Sequence, residues 1–122
     1  MKTSELRGHT LDWAVAKCEG ITFEGKRWFY PDAIQSCVPL NYRQWSTDWA
    51  QGGLIIEREG ICLQFKQHNK EWHATIDIRN RKYQTGQYLF VRWHPSSPLI
   101  AAMRCYVASK LGDEVDIPGE LL

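Results

Sequence analysis

The fold of this chain is decided by an alternating stretch at residues 61–78, which reads ICLQFKQHNKEWHATIDI. Apolar and polar side chains alternate through 61–66 and again through 72–78, with a polar sequence at 67–70 between them. Because successive side chains of a β-strand point to opposite faces, this pattern predicts an antiparallel hairpin with one covered face and one solvated face. We expect helices to cover the apolar face.

The C-terminal part of the chain predicts one of those helices. Ser97 is a favourable N-cap, Pro98 suits the first helical position, and Gly112 can end the helix. The residues between them follow the i, i+3, i+4, i+7 pattern of a helix: Leu99, Ile100, Met103, Tyr106, Val107, Lys110 and Leu111. We expect Val115 and Ile117 to hold the acidic tail against the domain.

The N-terminal part predicts a second amphipathic helix, from about Glu5 to Glu19. Thr3 and Ser4 are its N-cap candidates and Gly20 is its expected end. Its apolar face combines small and branched residues at helical spacing, namely Gly8, Leu11, Val15 and Cys18. This helix can therefore pack closely on a neighbour.

Further strands are predicted on either side of the central hairpin. Residues 21–23 and 27–30 are short aromatic and β-branched runs that indicate a small hairpin. A third alternating run at 88–93, after a polar connection at 79–87, adds another strand. The predicted fold is a single α+β domain, in which an antiparallel sheet of three to five strands is packed on one face by the N-terminal and C-terminal helices.

Between Pro31 and Gly53 the periodicity is lost and turn-forming residues are frequent. This composition predicts a long loop with one helical turn near 47–51, and long loops in compact domains are often functional. Asp48 can cap the turn, and the glycine pair Gly52 and Gly53 can adopt positive φ. Such a turn would present Trp49 and Gln51. In the alternative interpretation, the cap and the glycines only let the chain pass beneath the final helix.

Length and composition restrict the class of protein. The chain has 122 residues, 43% of them hydrophobic and 24% charged, which is typical of one globular domain. Fifteen basic and fourteen acidic residues give a net charge of +1. Proteins that coat nucleic acid are usually far more basic, so general nucleic-acid binding is disfavoured.

The four cysteines do not form a recognisable metal or disulfide pattern. Cys18, Cys37, Cys62 and Cys105 lack the close C-x2-4-C spacing of structural zinc sites. The chain also has no signal-peptide-like start and no apolar run of membrane-spanning length. We therefore expect a cytoplasmic protein without a membrane segment, in which the cysteines are small buried apolar residues.

Catalytic motifs are absent from the sequence. It contains no phosphate-binding glycine loop, no HExxH and no GxSxG motif. His68 and His73 flank a predicted turn and could share a metal, but no third ligand is evident. The carboxylates of Asp48, Glu57 and Glu59 could act as acid and base, although exposed charges are most often simply solvated. An enzyme is thus the less favoured class, and no cofactor or metal is expected.

Six tryptophans are the most unusual feature of the composition. Tryptophan is highly buried on average, and it is also a favoured anchor of protein interfaces because it combines a large apolar area with an N–H donor. Most of the six are expected in the core, and Trp49 is the one we expect to be exposed. The aromatic and basic runs at 26–30 and 92–94 would also suit stacking on single-stranded nucleic acid.

Several blocks of sequence resemble the NinX-like family of small phage and prophage proteins. They are STDWAQGG at 46–53 with IIERE at 55–59, PLIAAMRCYVASK at 98–110, and the opening segments 1–6 and 11–17. Leu54 replaces the usual proline of the family, and HPSS at 94–97 replaces its usual Gly-Pro-Thr lead-in. The resemblance implies an accessory protein of tailed bacteriophages, and it implies no reaction.

The combined interpretation is a non-catalytic module that binds an unidentified host or phage protein. The expected binding residues are Asp48, Trp49, Gln51, Gly52, Gly53, Trp72 and Arg104. Arg104 could pair with Asp48 or Glu57. The alternatives are a small enzyme, whose site would combine Asp48, Glu57, His73 and Arg104, and a factor that binds single-stranded nucleic acid in phage DNA metabolism.

Overall fold

A computed structural model describes residues 1–24, 27–29, 37–39, 44–77 and 89–119. After a short 3-10 turn at Thr3–Glu5, the elements in chain order are α1 (Gly8–Cys18), β1 (Thr22–Glu24), β2 (Arg27–Phe29), β3 (Cys37–Pro39), α2 (Trp49–Glu59), β4 (Cys62–Lys66), β5 (Glu71–Asp77), β6 (Leu89–His94) and α3 (Pro98–Leu111). The predicted α+β class is confirmed.

The sheet β4–β5–β6 is the one predicted from the alternating stretch. Strand β5 is central and pairs antiparallel with β4, which places Phe65 opposite Trp72. It also pairs antiparallel with β6, which places Trp93 opposite His73. Ala74 on the covered face of β5 is fully buried, as the alternation requires.

A second three-stranded antiparallel sheet, β1–β2–β3, precedes α2. The predicted hairpin at its start is confirmed, since Glu24 at the end of β1 lies opposite Arg27 at the start of β2. Strand β3 pairs with β2 through Trp28 and Val38. It lies inside the segment predicted as loop, and it is the first of two regular elements that the prediction missed.

Helix α3 is buried almost all round. It packs on β5 and β6 and also contacts α1 and α2. Its buried residues lie on every side of the helix: Leu99, Ala101, Ala102, Met103, Arg104, Cys105, Tyr106, Val107 and Ala108. Helices of this kind form the core rather than cover it, and the small residues at four of these positions leave room for close neighbours.

The ends of α3 and of the tail agree with prediction. The Ser97 hydroxyl accepts a hydrogen bond from the Ile100 N–H at 3.1 Å, and Gly112 ends the helix with φ of 89°. Val115 is buried, and its carbonyl accepts a hydrogen bond from the N-terminal amine at 3.0 Å. The tail is therefore held against the N-terminus of the chain.

The predicted start of α1 was wrong. Thr3 does not cap this helix, because its hydroxyl donates to the Gly112 carbonyl at 2.7 Å and its N–H donates to the Asp113 carbonyl at 2.8 Å. Helix α1 begins at Gly8, where the Thr10 hydroxyl accepts a hydrogen bond from the Arg7 N–H at 3.2 Å. The end of the helix is as predicted, since Gly20 has φ of 79°.

The prediction of a loop at 31–53 was wrong over its C-terminal part. Residues 49–59 form a three-turn helix, which ends at Gly60 in the left-handed conformation. Gly52 and Gly53 have no positive φ, contrary to expectation, because both lie inside this helix. The two glycines weaken the local helical propensity, so tertiary packing stabilises α2 instead.

The cysteines are not uniformly buried. Cys105 is buried on α3 and Cys18 is half-buried on α1, whereas Cys62 is exposed. Cys62 lies on the solvated face of β4, so the expectation of burial was wrong for it. The side chain of Cys37 lies outside the described part of the structure. No described helix combines the length and the apolar character that crossing a membrane requires.

A polar cluster joins α1, α2 and α3 at the surface of the core. Arg58 binds both carboxylate oxygens of Glu19, at 2.9 and 2.7 Å, and the Tyr106 hydroxyl donates to the same carboxylate at 2.5 Å. Burial alone would raise the pKa of Glu19, but the hydrogen bonds from Arg58 and Tyr106 outweigh it and hold this pKa below its ordinary value of 4.5.

This cluster predicts a pH-dependent contribution to stability. Because the folded pKa of Glu19 is depressed, its contribution is present above pH 4.5 and is lost as the pH falls below that value. Glu19→Gln should therefore be less stable than wild type near neutral pH, and the difference should shrink in acid. Urea denaturation of both proteins from neutral to acidic pH measures it, with exposed Glu114→Gln as control. A constant difference across this range would contradict the assignment.

The adjacent glycines of α2 predict opposite effects of the same substitution. A Cβ added at Gly52 would overlap the Trp45 carbonyl and lie 2.6 Å from Cδ1 of Leu99, whereas one at Gly53 would only touch the Trp49 ring at 3.9 Å. Gly52→Ala should lower the free energy of unfolding by about 1–3 kcal/mol. Gly53→Ala should raise it by about 0.5–1 kcal/mol through helical propensity. Urea denaturation checks both, and a shared sign would contradict the packing described.

Candidate functional site

The first turn of α2 is fastened by hydrogen bonds from two side chains. The Asp48 carboxylate accepts one hydrogen bond from the Ala50 N–H at 2.9 Å and another from the Gln51 side-chain amide at 3.0 Å. The Gln51 amide oxygen in turn accepts from the Gln44 N–H at 3.1 Å. Asp48 is thus the N-cap of α2, and both side chains are occupied in holding the start of the helix.

The outer side of this helix start is apolar. Large apolar side chains are exposed at four of the described positions: Met1, Trp49, Leu54 and Trp93. Two of the four lie close together on α2, where Trp49 is 53% and Leu54 is 66% exposed. Ala50 is also exposed and Gly53 is half-buried. We call these four residues, Trp49, Ala50, Gly53 and Leu54, the Trp49–Leu54 surface.

The opposite side of α2 is buried and packs against the rest of the domain. Gly52 and Ile55 are buried, and the backbone of Gly52 lies directly against Trp45 and against Leu99 of α3. The turn before α2 is attached to α1, because the Asp12 carboxylate accepts a hydrogen bond from the Ser46 N–H at 2.9 Å. Buried contacts therefore set the direction of the exposed side chains.

Asp12 makes this attachment as a nearly buried acid. Burial raises the pKa of its carboxyl group, and the hydrogen bond from the Ser46 N–H opposes that shift. The Ser46 hydroxyl is itself buried without a hydrogen-bond partner among the described residues. Both side chains lie beneath the surface, so neither is presented to a ligand.

Five of the seven expected binding residues lie together, at 48–49 and 51–53. Only Trp49 among them is exposed, as predicted, with 53% of its surface accessible. Gly52 is buried under α3, as the alternative interpretation of the glycine pair requires. Binding of a partner by these residues stays a prediction; among them, Trp49 is exposed, whereas Asp48 and Gln51 are hydrogen-bonded within the helix start.

The other two expected residues are held in other parts of the fold. Trp72 is half-buried on β5, where its ring lies 5.3 Å from that of Phe65. Arg104 is 8% exposed on α3, and its guanidinium donates to the Leu6 carbonyl at 2.8 Å and to the Trp93 carbonyl at 3.0 Å. Burial, and then the charge of Arg7, lower the pKa of Arg104.

The predicted pairing of Arg104 with Asp48 or Glu57 was wrong. Both carboxylates lie in the described part of the chain, and neither forms an ion pair with Arg104. Arg104 lies in the middle of a buried helix, where the backbone carbonyls of Leu6 and Trp93 are within its reach. These bonds compensate a buried guanidinium in place of a salt bridge.

The four residues of the alternative catalytic site are not joined. No hydrogen bond or ion pair connects any two of Asp48, Glu57, His73 and Arg104, all of which are described. His73 is bonded instead to Glu71 through Nε2 at 2.9 Å. Across the described residues, no group of three or more His, Cys, Asp or Glu side chains is arranged to hold a metal ion.

Leu54 is the residue of this site that sequence analysis missed. It follows the predicted turn at 47–51, at a position for which the sequence predicted no helix or strand. Gly52 and Ile55 are buried and Ile56 is half-buried, which follows helical spacing, and that spacing could have placed Leu54 on the outer side of the helix. The helix was not predicted because two adjacent glycines have low helical propensity and are typical of a turn.

Comparison with known proteins identifies a family. The family model described as bacteriophage P22 NinX matches residues 2–110 and thus includes every helix start and strand described above. No curated protein matches the chain.

The geometry of α2 predicts that its exposed residues contribute little to stability. Trp49→Ser and Leu54→Ser should change the free energy of unfolding by no more than about 0.5 kcal/mol each, because both side chains project into solvent. Asp48→Ala should lower it by about 1 kcal/mol through loss of the N-cap. Denaturant titration of the three variants tests this order. A larger loss for Trp49→Ser than for Asp48→Ala would mean that the indole is packed.

Proposed function

We propose that this chain, which belongs to the bacteriophage P22 NinX family, is a phage accessory protein that acts without catalysis by binding another protein through the Trp49–Leu54 surface. The site of action that we propose is the cytoplasm of the host bacterium. The partner is a host or phage protein.

The exposure of Trp49 and Leu54 on one helix carries this proposal. Single exposed apolar residues are ordinary, but α2 exposes a tryptophan and a leucine within five residues, together with the exposed Ala50 one turn before Leu54. Tryptophan is among the residues that contribute most to binding energy at protein interfaces. An apolar area of this kind supports a protein partner more than a small polar substrate.

The hydrogen bonds and packing at the start of α2 support the same function. Asp48 and Gln51 hold the helix start by hydrogen bonds, and Gly52 packs against Trp45 and Leu99. The backbone that carries the surface is therefore already held in place before binding, so that little backbone entropy is lost when a partner docks. An enzyme has less support, because the Asp48 carboxylate that would serve it already accepts two hydrogen bonds within α2.

Affinity capture from phage-infected bacteria tests the proposal. The bait is the tagged wild-type chain, compared with the double variant Trp49→Ser, Leu54→Ser and with Trp93→Ser as a matched control. Trp93 is 49% exposed, close to the 53% of Trp49, so its substitution removes a tryptophan of similar exposure from β6 instead of α2. Quantitative mass spectrometry should find at least one protein that wild type and Trp93→Ser retain and that the double variant loses.

Equal capture by all three baits would overturn the proposal, as would the absence of any specific partner. Circular dichroism and denaturation of each bait confirm that a lost partner does not reflect a lost fold. A partner lost only by Trp93→Ser would move the binding surface to the end of β6.

A further inference from the structure

Arg104 is a buried cation that forms no ion pair with any described carboxylate. It is 8% exposed, and its two hydrogen bonds go to backbone carbonyls, from Nε to Leu6 at 2.8 Å and from Nη1 to Trp93 at 3.0 Å. Carbonyl groups satisfy N–H donors but carry no net charge, so the guanidinium keeps its positive charge inside the protein. A buried charge without a counter-charge is costly, and such groups are frequent at functional sites.

One end of this guanidinium is accessible from outside the protein. Its Nη2 forms no hydrogen bond with any described residue. The Ser46 hydroxyl is the only buried side-chain polar atom that lacks a partner in the described part of the chain, so Nη2 of Arg104 reaches solvent. A residue that is more than nine-tenths buried therefore offers two N–H donors without an acceptor.

Each carbonyl that Arg104 binds is followed in the chain by another basic side chain. Arg7 comes directly after Leu6, at one carbonyl. His94 comes directly after Trp93, at the other. Arg7 is exposed, and its guanidinium forms no hydrogen bond or ion pair with any described residue. Helix α1 begins directly after Arg7 with no acidic residue in its first turn, so the positive end of the helix dipole adds to the same region.

His94 adds a neutral donor to this region. Its Nδ1 accepts hydrogen bonds from the Ser96 N–H at 3.1 Å and from the Ser97 N–H at 2.9 Å. A neutral imidazole that accepts at Nδ1 carries its proton on Nε2, which forms no hydrogen bond with any described residue. Burial lowers the pKa of His94, and the charges of Arg104 and then of Arg7 lower it further, so the ring stays neutral beside two cations.

We propose that Arg7, His94 and Arg104 form a phosphate site, which binds a phosphate dianion supplied as free inorganic phosphate or as the terminal phosphate of a nucleotide. Two guanidinium charges match a doubly charged anion, and donors from three side chains match its several acceptor oxygens. A carboxylate has one charge and two oxygens, so it neutralises only one of the two arginines. The phosphate site contains no residue of α2 and does not rest on the proposed function.

Isothermal titration calorimetry of the wild-type chain tests this inference at about pH 7.5, where a phosphate group is mostly doubly charged. The probes are inorganic phosphate, adenosine 5′-monophosphate and acetate. Phosphate or the nucleotide should bind with a dissociation constant on the order of 0.1 mM, and acetate should bind at least about tenfold more weakly. Tighter binding of the nucleotide identifies a nucleotide as the source of the anion, and equal or tighter binding of inorganic phosphate identifies the free anion.

Substitution of one exposed arginine tests the location of the site. Arg7→Gln should raise the dissociation constant for phosphate at least about tenfold, because it removes a charge-assisted contact. Lys17→Gln removes an equal charge from the opposite end of α1, about 15 Å away, and should change the constant by less than about twofold because of screening. Phosphate should also shift the Nε2 resonance of His94 in imidazole NMR spectra and leave that of the exposed His68 unchanged. Circular dichroism checks that both variants are folded.

No binding of either phosphate or the nucleotide would overturn the inference, and so would acetate that binds as tightly as phosphate. Equal losses in Arg7→Gln and Lys17→Gln would show a general effect of charge and would also overturn it. A single-stranded oligodeoxynucleotide without terminal phosphates is the last probe. If it binds more tightly than phosphate, the three side chains contact a nucleic-acid backbone and the inference fails. None of these outcomes involves the Trp49–Leu54 surface, so the proposed function is decided by the capture experiment alone.

Discussion

The burial of α3 on every side is the constraint on which the rest of the structure depends. A helix surrounded by a sheet and two other helices must be narrow, and Ala101, Ala102, Cys105 and Ala108 provide the necessary small side chains. It must also compensate any polar group that it carries inward. Arg104 is compensated by the Leu6 and Trp93 carbonyls, so the same contact attaches the N-terminal segment and the end of β6 to the core helix.

The candidate surface is a consequence of that packing. Helix α2 lies against α3 through a glycine backbone at 52, and this close approach leaves the next residues of the helix facing solvent. The two adjacent glycines thus have different physical roles. Gly52 permits contact inside the chain, whereas Gly53 lies on the outer side beside an exposed indole. The cluster of Glu19, Arg58 and Tyr106 fastens the other end of α2 to α1 and α3. The surface is therefore supported at both ends.

Family membership and geometry answer different questions about this protein. The match to the bacteriophage P22 NinX family identifies the kind of genome that encodes the chain. The arrangement of Asp48, His73 and Arg104, each bonded to its own neighbours, gives these side chains structural roles. The exposed residues of α2 comprise the apolar side chains Trp49, Ala50 and Leu54 near its start and the charged side chains Glu57 and Arg58 near its end.

The sequence by itself determined the elements whose local pattern is strong. Alternation identified β4, β5 and β6, and the cap and terminator residues Ser97 and Gly112 identified α3. These patterns act over a few neighbouring residues, so they can be read without knowledge of the fold. Of the candidate site, the exposed indole of Trp49 was anticipated. Only the tertiary structure decided that residues 49–59 are helical, since the packing of Gly52 on Trp45 and Leu99 overcomes the low propensity of two glycines. It likewise decided that Thr3 binds the end of α3 and that Arg104 binds carbonyls rather than a carboxylate. Thr3 and Gly112 are 109 residues apart in the sequence, and Leu6 and Arg104 are 98 apart, so only the fold brings each pair together.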